Sequence, residues 1–188
     1  MSIEKRLAEL NLVIPKVEPR FKFVPGVQVG NLLFISGQTP EIDGVMQYAG
    51  RLGEDLDIET GKKAARLAAL NCLGEIRAVL GSLDRVERIV RVIGYVRSAK
   101  NFGEQPLVID GASELLIEIF GERGRHARAA LGTSELPFGA PVELEMVVQV
   151  RENCATMFIS WPAARSGSIG PILRTAMFTR WKREKASC

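Results

Sequence analysis

The sequence predicts an α+β fold, a mixed β-sheet with two long helices packed on one face, in the order β-β-β-α-β-α-β-β. Three observations carry this. Residues 57–81 and 105–124 repeat apolar side chains at helical spacing. Residues 86–98 and 142–151 alternate apolar and polar side chains, as half-buried strands do. Strand and helix then alternate through the middle of the chain, and the fixed hand of such crossovers puts both helices on one side.

The elements follow in order. Ser2 is a candidate N-cap, and Ile3, Leu7 and Leu10 behind it fall on one helical face. Pro15 and Pro19 end that segment and extend the chain. Arg20–Val24 reads as a strand, Pro25-Gly26 as a turn and Val27–Val29 as a second strand. Gly30-Asn31 turns the chain into a buried strand, Leu32–Ser36. Gly37–Leu56 is polar and glycine-bearing and reads as a loop.

Asp57 suits the N-cap of the first long helix, with a stripe of Ala65, Ala69, Cys72, Ile76, Val79 and Leu80. Gly81 suits the left-handed position after its last turn. In Val86–Ser98, Val90, Val92 and Val96 share one face, and Arg91, Ile93, Tyr95 and Arg97 the other. Gln105-Pro106 opens the second long helix, with Val108, Ala112, Leu115, Leu116, Ile119 and Phe120 as its stripe. Gly121 and Gly124 end it. Ala127–Leu131 is a strand, Gly132–Pro141 a loop, and Val142–Arg151 the last strand.

With 46% hydrophobic and 25% charged residues, the composition is that of a globular protein. No run of about 18 apolar residues suggests a membrane span. The start, Met1 to Arg6, carries an acid and no long apolar segment, which argues against a secretory signal and for a cytoplasmic protein. The formal net charge of +3 divides unevenly. Residues 1–152 hold 19 Lys/Arg and 21 Asp/Glu, a net of −2, and residues 153–188 hold 6 and 1, a net of +5. Three regions follow: a helix and linker over 1–19, a domain over 20–152, and a basic tail over 153–188 whose role the sequence leaves open. The near-neutral body argues against nucleic acid as the partner.

Cys72, Cys154 and Cys188 are widely spaced and odd in number, so no disulfide framework is expected. Cys72 lies within an apolar stripe and reads as a buried thiol. His126 is the only histidine, which leaves too few ligands for a zinc site, and no serine stands in a nucleophile-elbow context. Neither a metal nor a cofactor is expected.

Arg128 and Glu143 are the residues in which chemistry is expected. Each lies in a strand beside the Gly132–Pro141 loop, so the two are expected to be close in space. A guanidinium there can clamp a small carboxylate, and a carboxylate can orient and deprotonate a water. The plainer alternative is a salt bridge across strands or subunits. Arg128 is expected on the strand face that carries His126 and Ala130. His126 reads either as a proton donor at the site mouth or as a turn residue. Glu143 and Glu145 share a face, and Glu145 is expected to pair with Arg91 or Arg97. The sheet face away from the helices mixes these charges with Ile93, Tyr95 and Val147, which suggests cover by other subunits.

These residues add up to a resemblance. Val29-Gly30-Asn31-Leu32-Leu33-Phe34-Ile35-Ser36-Gly37-Gln38-Thr39-Pro40 resembles the G-N-x-x-[FY]-x-S-G-Q-x-P signature of the RidA (YjgF) reactive-intermediate deaminase family. Ala127-Arg128-Ala129, Leu136-Pro137 and Val142-Glu143-Leu144-Glu145 resemble that family's closing block, with the same fifteen-residue step from arginine to glutamate. The chain is similar to a longer branch of that superfamily. The resemblance implies a chorismate-mutase-like fold and a homotrimer with sites between subunits. It also implies cofactor-free hydrolysis of small 2-imino and 2-enamino acids to 2-keto acids and ammonia. By the same resemblance, Arg128 grips the substrate carboxylate and Glu143 holds the attacking water, while Gly37 offers its backbone to the ligand. Ala130 stands where the family often has cysteine, and Phe23 where it often has tyrosine near the ligand. Two other readings remain, a non-enzymatic ligand-binding trimer and an endoribonuclease or translation inhibitor.

Overall fold

The structure, a computed structural model, describes residues 2–16 and 22–151. Arg20 and the tail over 153–188 lie outside the described residues. No described helix is long and apolar enough to cross a membrane.

Helix α1 (Ile3–Glu9) starts where expected, with Ser2 Oγ accepting from the Lys5 N–H, and it buries Ile3 and Leu7. Asp84 caps the same end by accepting from Ser2 Oγ and from the Ile3 N–H. A Glu4–Arg77 ion pair of 2.6 Å ties this turn to the second helix.

Strand β1 (Gly26–Val29) and strand β2 (Leu32–Gln38) form an antiparallel hairpin. The strand expected over Arg20–Val24 is not found in its described part, since Lys22–Val24 pair with no strand. Pro25 explains the late start. It has no N–H to give to a ladder. The chain is instead held there by Ser36, whose Oγ donates to Val24 O at 2.7 Å and whose N–H donates to Pro25 O at 3.0 Å.

The segment read as a loop contains a small hairpin of strands β3 (Glu41–Ile42) and β4 (Val45–Met46). Its two-residue turn is Asp43-Gly44, both at positive φ (49° and 77°), the backbone that Asp-Gly favours in tight hairpins. Buried Asn71 tethers the hairpin by donating to Thr39 O and Glu41 O.

Helix α2 (Ile58–Leu80) begins at Asp57, whose Oδ1 accepts from the Thr60 N–H at 2.8 Å, and ends at Gly81 in the left-handed region. Ala65, Ala69, Cys72, Ile76 and Leu80 are buried as expected. Val79 is not: it is 37% exposed, because the buried stripe drifts round the helix across 23 residues. Helix α3 (Gln105–Phe120) packs on α2 through small residues. A Cβ at Gly111 would come within 2.8 Å of the Lys62 backbone, so the two helix backbones nearly touch there.

Strands β5 (Val86–Arg97), β6 (Ala127–Thr133) and β7 (Val142–Val150) complete a five-stranded sheet in the order β1-β2-β7-β5-β6. Strand β6 runs parallel to β5, and every other neighbouring pair is antiparallel. Helix α2 covers β2 and β7, and α3 covers β5 and β6, so both long helices lie on one face. Irregularities in β5 at Val86/Arg88 and Ile89/Arg91 shift its register against β7. They carry Ile89 into the core beside Val92 and Val96, and they turn Val90 away from it, against expectation.

The opposite face bears Glu143, Glu145, Val147 and Gln149 from β7, with Arg91, Ile93, Tyr95 and Arg97 from β5. Phe34 and Leu131 stand on it 46% and 50% exposed. No described helix packs against this face.

Candidate active site

Glu143 and Gly37 meet at one end of the open face. The β2–β7 register shifts between Ile35 and Gln38, a bulge that brings Gly37 against Glu143 at the start of β7. A Cβ at Gly37 would overlap Glu143 Oε1 and lie 3.1 Å from its Cδ. Glycine is therefore required for the Glu143 carboxylate to lie across the strand. Burial in this position pushes the Glu143 carboxyl above its ordinary range, and the neighbouring Glu145 carboxylate pushes it further.

Glu145 finds neither arginine expected of it. Arg97 pairs with Glu135 at 2.9 Å instead. Burial raises Tyr95, and the two carboxylates add to it. Tyr95, expected on this face, stands directly opposite Glu143 in the sheet register, a pairing that the sequence did not reveal. Below the strand, buried Glu75 on α2 has an Oε2 with no hydrogen-bond partner. Burial raises its carboxyl, and a hydrogen bond from Gln38 partly offsets this.

Phe23 lies in the bend before β1 and is 52% exposed. The carbonyl of its neighbour, Val24, is held by Ser36, the residue before Gly37. Phe23, Gly37 and Glu143 thus belong to one end of the sheet.

Arg128 and Ala130 belong elsewhere. The connection from β6 to β7 does not make a hairpin, because β5 lies between them. Arg128 is in register with Val92, a core residue, so its side chain is on the helix side. There its Nη1 donates to Asp110 Oδ1 at 2.7 Å and to Ser113 Oγ at 2.9 Å, and Nη2 donates to Pro106 O at 3.3 Å. Ala130 sits beside Gly94 on the same face, packed against the core. Within one chain Arg128 and Glu143 are therefore on opposite faces of the sheet, two strands apart, and the expected closeness does not hold.

His126 occupies the turn into β6. Its Nδ1 is 2.6 Å from Gly124 O and its Nε2 is 3.2 Å from Ser113 Oγ. Burial lowers its pKa, the Gly124 bond opposes this, and the Arg128 charge lowers it again. Asp110 and Ser113 were not legible as site residues. Their i,i+3 spacing on α3 places them on one margin, but only the topology shows that β6 lies beside it. Among the described residues, no group of three His, Cys, Asp or Glu converges as a metal site.

The arrangement offers two chemical elements. One is a shielded carboxylate of raised pKa, suited to accepting a proton from a water. The other is a guanidinium already held in place from the helix side, suited to a small carboxylate.

Comparison with known proteins agrees with this architecture. Residues 4–154 match the family described as YjgF/chorismate mutase-like, putative endoribonuclease. Protein TCP17 of Trypanosoma cruzi is 40% identical over 150 residues, covering 79% of this chain and 94% of that protein. The crystal structure of Atu1372 from Agrobacterium tumefaciens, of unknown function, is 42% identical with a TM-score of 0.73, covering 79% of this chain and 92% of that one. A structure from Shewanella oneidensis MR-1, described as a putative endoribonuclease, is 33% identical with a TM-score of 0.76, covering 80% of this chain and all of that one. The chain belongs to the YjgF, or RidA, family and has its chorismate-mutase-like fold.

Proposed function

We propose that the protein hydrolyses small 2-imino and 2-enamino acids to 2-keto acids and ammonia, at sites completed between subunits of a homo-oligomer, a trimer by family resemblance. The observation that carries this reading is the Glu143 carboxylate lying across Gly37, half-buried and of raised pKa, at the rim of a sheet face that no described helix covers. In the proposed site, Phe23, Gly37 and Glu143 of one subunit meet Arg128 and Ala130 of the next.

Arg128 binds the substrate carboxylate and draws electron density from the adjacent imine carbon. Glu143 accepts a proton from the water as its oxygen attacks that carbon. The C=N bond becomes a C–N single bond, and Glu143 passes that proton on to nitrogen, giving the carbinolamine. Glu143 then relays the hydroxyl proton to nitrogen, the C–N bond breaks, ammonia leaves with the electron pair, and the oxygen forms the keto group. An enamine enters the same route after taking a proton on carbon. The steps balance with water alone, so no cofactor takes part.

The test is to generate 2-iminopropionate with an amino-acid oxidase and follow its decay with and without protein. Acceleration that is lost in Arg128→Ala supports the reading. No acceleration by the wild type, or an unchanged rate in Arg128→Ala, rules it out.

The family description and the Shewanella relative favour a second reading, RNA cleavage. The charges speak against it, because residues 1–152 carry a net charge of −2 and backbone binding draws on net positive charge. Measuring RNA affinity across a salt series decides this. A steep salt dependence that disappears when residues 153–188 are removed would assign RNA binding to the tail. A non-enzymatic ligand-binding role is the outcome in which pyruvate binds and the imine does not turn over.

A further inference from the structure

Asp110, Ser113, His126 and Arg128 form one hydrogen-bonded chain between α3 and β6, and its polarity can be read from the chemistry of its ends. The Gly124 carbonyl can only accept, so His126 Nδ1 must carry the proton that lies in the 2.6 Å contact. In a neutral imidazole, Nε2 is then only an acceptor. The Ser113 hydroxyl therefore donates to Nε2, and its oxygen lone pairs are left for Arg128 Nη1. Asp110 Oδ1 accepts the other Nη1 hydrogen, and Pro106 O accepts one from Nη2. A guanidinium has five N–H groups. Three of Arg128's are taken by the described residues, and the two that remain are the number a single carboxylate accepts side by side.

We infer that Asp110, Ser113 and neutral His126 are positioning residues for Arg128, fixing the plane of its guanidinium so that its last two N–H groups present a fork to a substrate carboxylate. This rests on the reading of Arg128 as the carboxylate clamp. It assigns His126 a role that is neither proton donor nor plain turn residue. Protonating Nε2 would turn it from acceptor to donor, reverse the Ser113 hydroxyl and set a cation beside Arg128. The charged groups around the ring are Asp110 from α3, Arg128 from β6, and Arg88 and Arg125 from the pocket that His126 shares with Asn31 and Gln149. Only Asp110 would favour a second positive charge, and it is already engaged by Arg128. Acid therefore unlocks the clamp.

The experiment has two arms, turnover of 2-iminopropionate and equilibrium binding of pyruvate followed by ligand NMR. Ser113→Ala and Asp110→Asn are expected to raise KM and weaken pyruvate binding about tenfold, with little change in kcat, as expected for a lost hydrogen bond to a charged group. Ser113→Thr keeps a hydroxyl and restores both. In the wild type KM climbs on acidification below the ordinary histidine range, and His126→Gln removes that climb. Equal pyruvate affinity in the wild type, Ser113→Ala and Asp110→Asn overturns the inference, an absence of binding in all three included. So does a KM that is indifferent to pH. A wild type that binds pyruvate through Ser113 but leaves the imine untouched overturns the deaminase reading and supports the positioning.

Discussion

The placement of Arg128 and Glu143 on opposite faces makes a quantitative prediction about mixtures of inactive variants. Arg128 stands in the same row of the sheet as Val92 and Met146, and Glu143 in the row of Tyr95. The two are two strands and three residues apart, about 14 Å between Cα atoms at the usual strand spacing and rise, before the opposite directions of their side chains are added. In a 2-imino acid the carboxylate is bonded directly to the carbon that water attacks. One substrate cannot reach both side chains of the same chain. If each site takes Arg128 from one subunit and Glu143 from the next, Arg128→Ala and Glu143→Gln are each inactive alone. Randomly mixed in equal amounts, a junction works when the first subunit has its arginine and the second its glutamate. About one junction in four qualifies, so activity returns to about 25% of wild type, whatever the number of subunits in a closed ring. The assay is decay of 2-iminopropionate after co-refolding, with native mass spectrometry to confirm mixed oligomers. Mixed oligomers that are no more active than the separate variants would refute the shared site.

Other outcomes follow from single contacts. Gly37→Ala displaces the Glu143 carboxylate by about 1 Å, which lowers kcat/KM about 100-fold and moves the acid limb of the pH–rate profile down as Glu143 becomes better solvated. An unchanged profile would show that Gly37 does not shape the site. Gly111→Ala wedges a methyl group against the Lys62 backbone and destabilises the fold by about 1–3 kcal/mol in urea titrations. The folded chain holds the Glu75 proton more tightly than the unfolded chain, so its contribution to stability declines as pH rises from the ordinary carboxylate range through the raised folded value. Glu75→Gln is therefore expected to stabilise the protein at pH 7, with the gain fading in acid, as read by urea midpoints at several pH values. Burial pushes the Cys72 thiol far above its ordinary range, so peptide mapping after iodoacetamide at pH 8 should find it alkylated only in urea.

What the sequence made legible is what local chemistry decides. Ser2, Asp57 and Gly81 mark helix ends because a side chain or a left-handed glycine must satisfy groups there, and all three do so. The alternation through β7 correctly assigned Glu143 and Glu145 to the face away from the helices. The Asp43-Gly44 turn was also readable, since Asp-Gly between short apolar flanks is a hairpin signal, but the polar surroundings hid it. What local pattern cannot reveal is order in the sheet. Strands β6 and β7 adjoin in sequence, which suggests that they are close in space, but insertion of β5 between them separates Arg128 from Glu143. The same long-range fact decides the partners of Arg97 and Arg128, because Glu135 and Asp110 come beside them only through the tertiary fold. Val90 was misplaced for a smaller reason: alternation fails at a bulge, which moves every residue beyond it by one position.

Separating the two charged groups has a consequence for how such a site is assembled. Placed on one face of one chain, Arg128 and Glu143 would neutralise each other, and a substrate would have to break an ion pair in order to bind. Here each half is complete without the other. Arg128 is held by Asp110, Ser113 and the Pro106 carbonyl with two N–H groups to spare, while Glu143 rests over Gly37 with its carboxyl shifted toward the neutral form. Each half is held by contacts within its own chain, so in the proposed shared site assembly would bring together parts already in place. A ligand that touches both halves then binds the oligomer and not the separated chain. At a concentration 100 times its Kd, such a ligand adds about 2.7 kcal/mol per site to the stability of the assembly. If the site is shared as proposed, substrate recognition and subunit association are one equilibrium, and the open sheet face with its mixture of apolar and charged side chains is the surface on which it would act.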